Sequence, residues 1–344
     1  MFSKLKAFFF RKSQSSGFSE KVSSKVTGLH SESSRPQEYG HQSLENAREL
    51  SLAFISNLLG VRAVETEESK AQEERYRVAL DAELVGLTEK SIPKLSKNSL
   101  SLMSDLLNPE TPHSKIVSAI HNDPALAGKI LLVVNSPVFV ASDIEIENLE
   151  HALSILGHNR LKDVVQSSLV ADQFELDSYH FKMFGKALWD HSLEVASNAK
   201  KVAEKADGDA DLAYFVGLVH DVGKLIIFKK LVELNEAGEG DPHPQVFSHL
   251  LNDYSHALTR KACEMWHLPD HWYQPILEFQ MAEPGDLKSP TSVALFLGNS
   301  FAELHTLFKA GEITEFELVW RLTQIGSSVE EFEGLYPDMI KEAV

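Results

Sequence analysis

A histidine and an aspartate stand side by side in VGLVHDVGKLIIF, residues 216–228, a run that is otherwise almost wholly apolar. An unpaired carboxylate is expensive to bury, and a metal ion or a cationic partner is the usual remedy. Imidazole and carboxylate together suit a divalent first-row metal. A further donor, His191, lies 29 residues before His220, in ALWDHSLEVA. Both segments carry helical periodicity, and a short connection lets two antiparallel helices bring His191, His220 and Asp221 to one point. Such a centre would hold a divalent ion such as manganese, iron or magnesium. The ion would lower the pKa of a bound water and polarise a phosphoryl group, with Lys224, one turn after His220, reaching a phosphate oxygen. The alternative is a polar knot, in which His220 and Asp221 hydrogen-bond each other, Lys224 and backbone groups. Gly217 and Gly223 flank the pair. Glycine inside a helix costs up to about 1 kcal/mol, so this placement predicts close approach of a neighbouring helix.

Other residues have suggestive spacing. His249, Asp253 and His256 fall at i, i+4 and i+7 on one face of a predicted helix, where they could form a second metal cluster. Asn135 and Ser136 precede Pro137 and read as a helix terminus. Cys263, beside Trp266, reads as a core thiol, and Trp189, Trp266 and Trp272 as core or interdomain aromatics.

The elements that must position these groups are helical throughout. Apolar residues recur at helical spacing in SLENARELSLAFISNLLG, DPALAGKILLVVNS, FGKALWDHSLEVASNAKKVAEKA, PQVFSHLLNDYSHALTRKACEMWHL and SPTSVALFLGNSFAELHTLF, and strict alternation is never sustained. The expected fold class is all-α. Thr111 and Asp123 read as N-caps, with Pro124 at a first helical position. Residues 1–40 carry seven Lys or Arg against three Asp or Glu and, with their Ser-rich stretch, read as a flexible basic tail. Within it Phe2, Leu5 and Phe9 fall at helical spacing among Lys4, Lys6, Arg11 and Lys12, as in a short interfacial helix capable of weak membrane-surface contact. Twelve residues make a marginal helix, so a disordered tail is the plainer reading.

Of the 344 residues 43% are hydrophobic and 24% charged, as in ordinary soluble proteins. The single cysteine excludes a disulfide framework or a multi-cysteine metal site within one chain. The net charge is -17, and with +4 on residues 1–40 the remainder stands at -21, a field that disfavours direct nucleic-acid binding. With no apolar run of membrane-spanning length, the expected location is the cytoplasm.

WDHSLEVA followed by GLVHDVGKL resembles the HD superfamily of metal-dependent phosphohydrolases, whose members hold metal with a His, a His-Asp pair and a later Asp. IPKL at 92–95, DPALAGKILLVVNSPVF at 123–139 and HALSILG at 151–157 narrow the resemblance to the HDOD (HD-related output domain) branch, over residues 90 to about 285. It implies a multi-helix bundle in two subdomains, 90–175 and 176–285, with a helical segment at 41–89 before it and helices at 286–344 completing the core. Where catalytic relatives carry the late aspartate, this chain offers Asn299. Where some carry paired histidines, it has Phe279 and Gln280. The resemblance therefore implies a bacterial signalling protein that binds other signalling proteins or a small ligand such as a nucleotide second messenger, without robust hydrolysis. The competing expectation is a metal-dependent phosphohydrolase acting on a nucleotide or cyclic dinucleotide.

Overall fold

Capping sets the helix limits. Asp123 accepts a hydrogen bond from the Leu126 amide (3.0 Å) and Pro124 opens the helix, as its sequence predicts. Thr111 does not cap. Pro112 stands at that N-cap and makes no side-chain capping bond, so the proline's fixed φ starts the turn instead. Thr314 and Ser328 each close a capping box with a glutamate three residues on. The computed structural model describes residues 41–60, 67–87, 92, 95–136, 139, 146, 149–174, 179–234, 244–281, 287, 289–337 and 339. The readings placed on residues 1–40, the interfacial helix included, lie outside them.

The helices are α1 (His41–Leu58), α2 (Glu67–Val85), α3 (Lys97–Leu107), α4 (His113–His121), α5 (Pro124–Val134) and α6 (Leu149–Val170, broken at Gly157). They continue as α7 (Tyr179–Lys205), α8 (Ala210–Val219), α9 (Val222–Leu234), α10 (Pro244–Met265), α11 (Asp270–Met281), α12 (Pro290–Lys309), α13 (Glu315–Gln324) and α14 (Val329–Glu333). No strand occurs among the described residues, and the fold is all-α. No single described helix is long and apolar enough to cross a membrane.

One apolar core runs through both expected subdomains, from Ile92 and Leu106 through Val164 and Phe215 to Trp266 and Trp272. Burial of this continuous surface is what holds the helices as one body. The N-terminal segment is not an appendage. Phe54 and Ile55 of α1, with Leu59 just after it, join the main core, while Leu44, Ala47 and Leu50 pack with Phe296, Leu318 and Phe332 of α12 to α14. The chain therefore begins its described course by lying across the elements that end it.

Asn135 does more than end α5. Its amide donates to the Leu131 and Ile146 carbonyls (2.8 and 2.9 Å), and its oxygen accepts from the Ile146 amide (2.8 Å), tying the loop ahead of α6 to the end of α5. Cys263 is buried, as expected of a core thiol, and burial pushes its pKa up to about 12.

Candidate metal centre

Helix packing brings the predicted donors together. α7 and α8 are joined by a short turn and run side by side, with α12 packed on α7. A Cβ at Gly217 would sit 2.5 Å from Ala196 Cα, so glycine there sets the α7–α8 separation, and a Cβ at Gly223 would meet Ser255 O at 1.9 Å. Both glycines permit the close approach that their positions predict.

His220 and Asp221 do not lie inside one continuous helix. His220 caps the C-terminus of α8, Asp221 occupies the turn, and α9 begins at Val222. Apolar residues on both sides of this joint continue the same periodicity, which hides the break in the sequence. Thr259 of α10 secures it by accepting from the Gly223 amide and donating to the His220 carbonyl, each at 3.0 Å.

Within this frame His191 of α7, His220, Asp221 and Asn299 of α12 converge, all nearly excluded from solvent. One ligand atom from each of His191, His220 and Asp221 falls within 4.8 Å of the other two. Asn299 Oδ1 stands 3.1 Å from both His191 Nε2 and His220 Nε2. Asp221 Oδ2 lies 3.4 Å from His220 Nε2, 3.7 Å from His191 Nε2 and 2.6 Å from Lys224 Nζ.

Protonation follows from these partners. Burial lowers both imidazole pKa values, His191 to about 3, so both rings are neutral. His220 Nδ1 faces the Gly217 carbonyl at 2.8 Å. A carbonyl can only accept, so Nδ1 holds the proton and Nε2 presents its lone pair to the centre. His191 Nδ1 is buried without a hydrogen-bond partner among the described residues, which leaves its proton on Nε2, facing Asn299 Oδ1. Burial pushes Asp221 upward, but His220, Lys224 and His191 outweigh it and hold the carboxyl below its ordinary range.

By type and distance this set fits one divalent ion. His220 is well prepared as a ligand, because its other nitrogen is anchored to a carbonyl. His191 is not: ligation through Nε2 would move its proton to a nitrogen that has no acceptor. Lys224 is itself buried and bound to Asp221, which keeps its ammonium from reaching out to a phosphate.

Three contributors escaped the sequence reading. Glu303, one turn after Asn299 on α12, is fully buried, and burial raises its pKa to about 7 against the opposing pull of Lys224 and Ser51. Ser51 of α1 donates to its Oε1 at 2.7 Å. Phe54, one turn later along α1, lays its ring against His191 with centroids 4.3 Å apart. The only advance signal was a lone acid in the apolar stretch VALFLGNSFAELH.

The second expected cluster does not form. His249 pairs with Glu73 at 3.0 Å and Asp253 with Arg77, while His256 turns toward Arg48 and Ser51 of α1. α2 packs on this face of α10 and takes two of the three residues as polar partners. Among the described residues, the one group of three or more metal-ligating side chains within 4.8 Å is that of His191, His220 and Asp221.

Comparison with known proteins agrees with this fold. The HDOD domain profile matches residues 92–281. An uncharacterized protein of Treponema pallidum (strain Nichols) is 28% identical over 188 residues, 52% of this chain, and the chain spans 36% of that relative's length. Two crystal structures share the fold. A candidate metal-dependent phosphohydrolase from Shewanella amazonensis SB2B aligns over 77% of this chain and 97% of its own, with TM-score 0.54 and 19% identity. An HDOD domain protein of unknown function from Geobacter sulfurreducens aligns over 79% and 93%, with TM-score 0.51 and 18% identity.

Proposed function

This chain belongs to the HDOD domain family, and on that premise we propose that it is a bacterial, cytoplasmic signal-transduction protein that acts by binding rather than by robust catalysis. Its HDOD module would engage other signalling proteins or a small ligand such as a nucleotide second messenger. Direct contact with nucleic acid has no part in this reading.

The observation that carries it is the 2.6 Å pair between Lys224 and Asp221 beside a neutral Asn299. One carboxylate and one ammonium cancel, and the other donors are uncharged. A dication entering a buried centre of zero net charge recovers little of its hydration energy. A site built for hydrolysis would keep its acidic charge for the metal.

The second reading, a metal-dependent phosphohydrolase, draws on the 4.8 Å convergence of His191, His220 and Asp221. A bound ion there would activate a water for attack on phosphorus. In that state His220 would ligate through Nε2 with Gly217 holding its Nδ1 proton, and Lys224 would have to release Asp221 for the carboxylate to serve fully.

Elemental mass spectrometry of protein purified without chelator, beside a His220→Ala control, separates the two. The binding reading expects well under one equivalent of manganese, iron or magnesium and no turnover of nucleotide phosphodiesters. A near-stoichiometric metal that vanishes in the control, together with hydrolysis, would establish the enzyme instead.

A further inference from the structure

Between α1 and α10 a cleft opens above the buried centre, lined by Arg48, Ser51, Asn252, His256 and Phe279 among others. Its charge is unusual for a chain of net charge -17. Arg48 is exposed and makes no ion pair among the described residues, whereas Arg77, on the next helix of the chain, is held by both Glu73 and Asp253. His256 makes no hydrogen bond among the described residues. Burial first, then Lys224, with Arg48 and His220 adding to it against Asp221, lowers its pKa to about 4. It is therefore a neutral imidazole with an N–H to donate. The carboxylate nearest in effect, Asp221, is already bound to Lys224.

We propose that this cleft binds the phosphoryl group of a small soluble phosphate ester, with Arg48 and His256 as its principal donors. Guanidinium offers paired N–H groups that match phosphate oxygens, and Asn252 adds a neutral amide donor at the same opening. Phe279, half-buried at the rim, supplies an apolar surface for the organic part of the ester. The proposal rests on the small-ligand form of the function proposed above and names the chemistry of that ligand. It also gives binding a consequence. Arg48 sits on the helix that carries Ser51 and Phe54, and those two residues touch Glu303 and His191. A ligand joining α1 to α10 would hold α1 against the centre.

The test is isothermal titration of the full chain with inorganic phosphate and with phenyl phosphate, in EDTA and low salt, and again with manganese in place of EDTA. The expected result is saturable binding of both in EDTA, tighter for phenyl phosphate, and weakened at least tenfold by Arg48→Gln. Because Arg48 is exposed, that variant folds, and unchanged thermal melting checks this. Phe279→Leu should remove the advantage of phenyl phosphate and leave inorganic phosphate unchanged. No saturable binding in EDTA, or equal binding by Arg48→Gln, overturns the proposal. Binding that appears only with manganese places the anion on a metal at the centre, and so contradicts the binding-module reading as well.

Discussion

Two clusters of charge are buried in this protein, and they are built differently. At the seam of α6, α7 and α8, Lys200 binds Asp163 (2.5 Å) and Asp211 (3.3 Å), and Lys162 binds Asp211 (2.8 Å). Two ammonium groups face two carboxylates, and beside them Tyr214 and Ser167 share a hydrogen bond at 2.8 Å. At the centre of α7, α9 and α12 a single ammonium faces a single carboxylate, amid neutral imidazoles, an amide and Glu303, whose pKa burial raises to about 7. The seam is closed. The centre holds a surplus of lone pairs, and His191 Nδ1 and Glu303 Oε2 have no hydrogen-bond partner among the described residues. Similar charge balance thus serves different ends: the seam, partly exposed at Asp211, fixes helices, and the centre gathers neutral donor atoms around one buried ion pair.

Breaking the seam should have the largest effect. Lys200→Met leaves Asp163 and Asp211 with only Lys162 nearby, and an uncompensated buried charge costs about 3–5 kcal/mol. Urea denaturation should register this loss, and added manganese should restore none of it, because the seam offers no imidazole. A loss below about 1 kcal/mol would mean that the seam's charges are solvated as a surface pair is.

Lys224→Met sharpens the contrast. It frees Asp221 at a cost of about 3 kcal/mol without metal, again by leaving a buried carboxylate unpaired. Here manganese should recover most of the stability, since the carboxylate then faces His220 Nε2 and His191 with no competing cation. Denaturation curves with and without manganese measure the recovery. If the ion fails to stabilise this variant, the three residues are a knot and not a ligand set.

How much of this contrast was legible beforehand depends on the range of the interaction. His191, His220 and Asp221 stood out because polar residues interrupt apolar helices, and Asn299 because its position in VALFLGNSFAEL parallels a late acid in catalytic relatives. The hinge between His220 and Asp221 was hidden, since α8 and α9 are apolar on both sides of it. Ser51 and Phe54 could not be read at all. They meet Glu303 and His191 across 252 and 137 positions of sequence, and periodicity reports which face of a helix is buried but not what it is buried against. His249 and Asp253 show the converse, where correct spacing on one face was claimed by Glu73 and Arg77 of another helix.

The smallest difference between the clusters lies in their response to pH, through Glu303. Its carboxyl is held at about 7 against an ordinary 4.5. A raised acid binds its proton more tightly when folded, so its contribution to stability is complete below about pH 4.5 and is lost as pH rises through about 7. The wild-type protein should therefore lose on the order of 2 kcal/mol from this group between pH 5 and 8. The histidines of the centre and His256 act oppositely, because their lowered pKa values favour the folded state as pH rises toward 6.5. Their effect cancels when Glu303→Gln is compared with wild type at each pH. The variant keeps an acceptor for Ser51 and has nothing to ionise, so it should equal or trail the wild type at pH 5 and surpass it at pH 8. Parallel stability curves for the two proteins across that interval would mean that Glu303 stays charged in the core, and that Lys224 then serves two carboxylates rather than one.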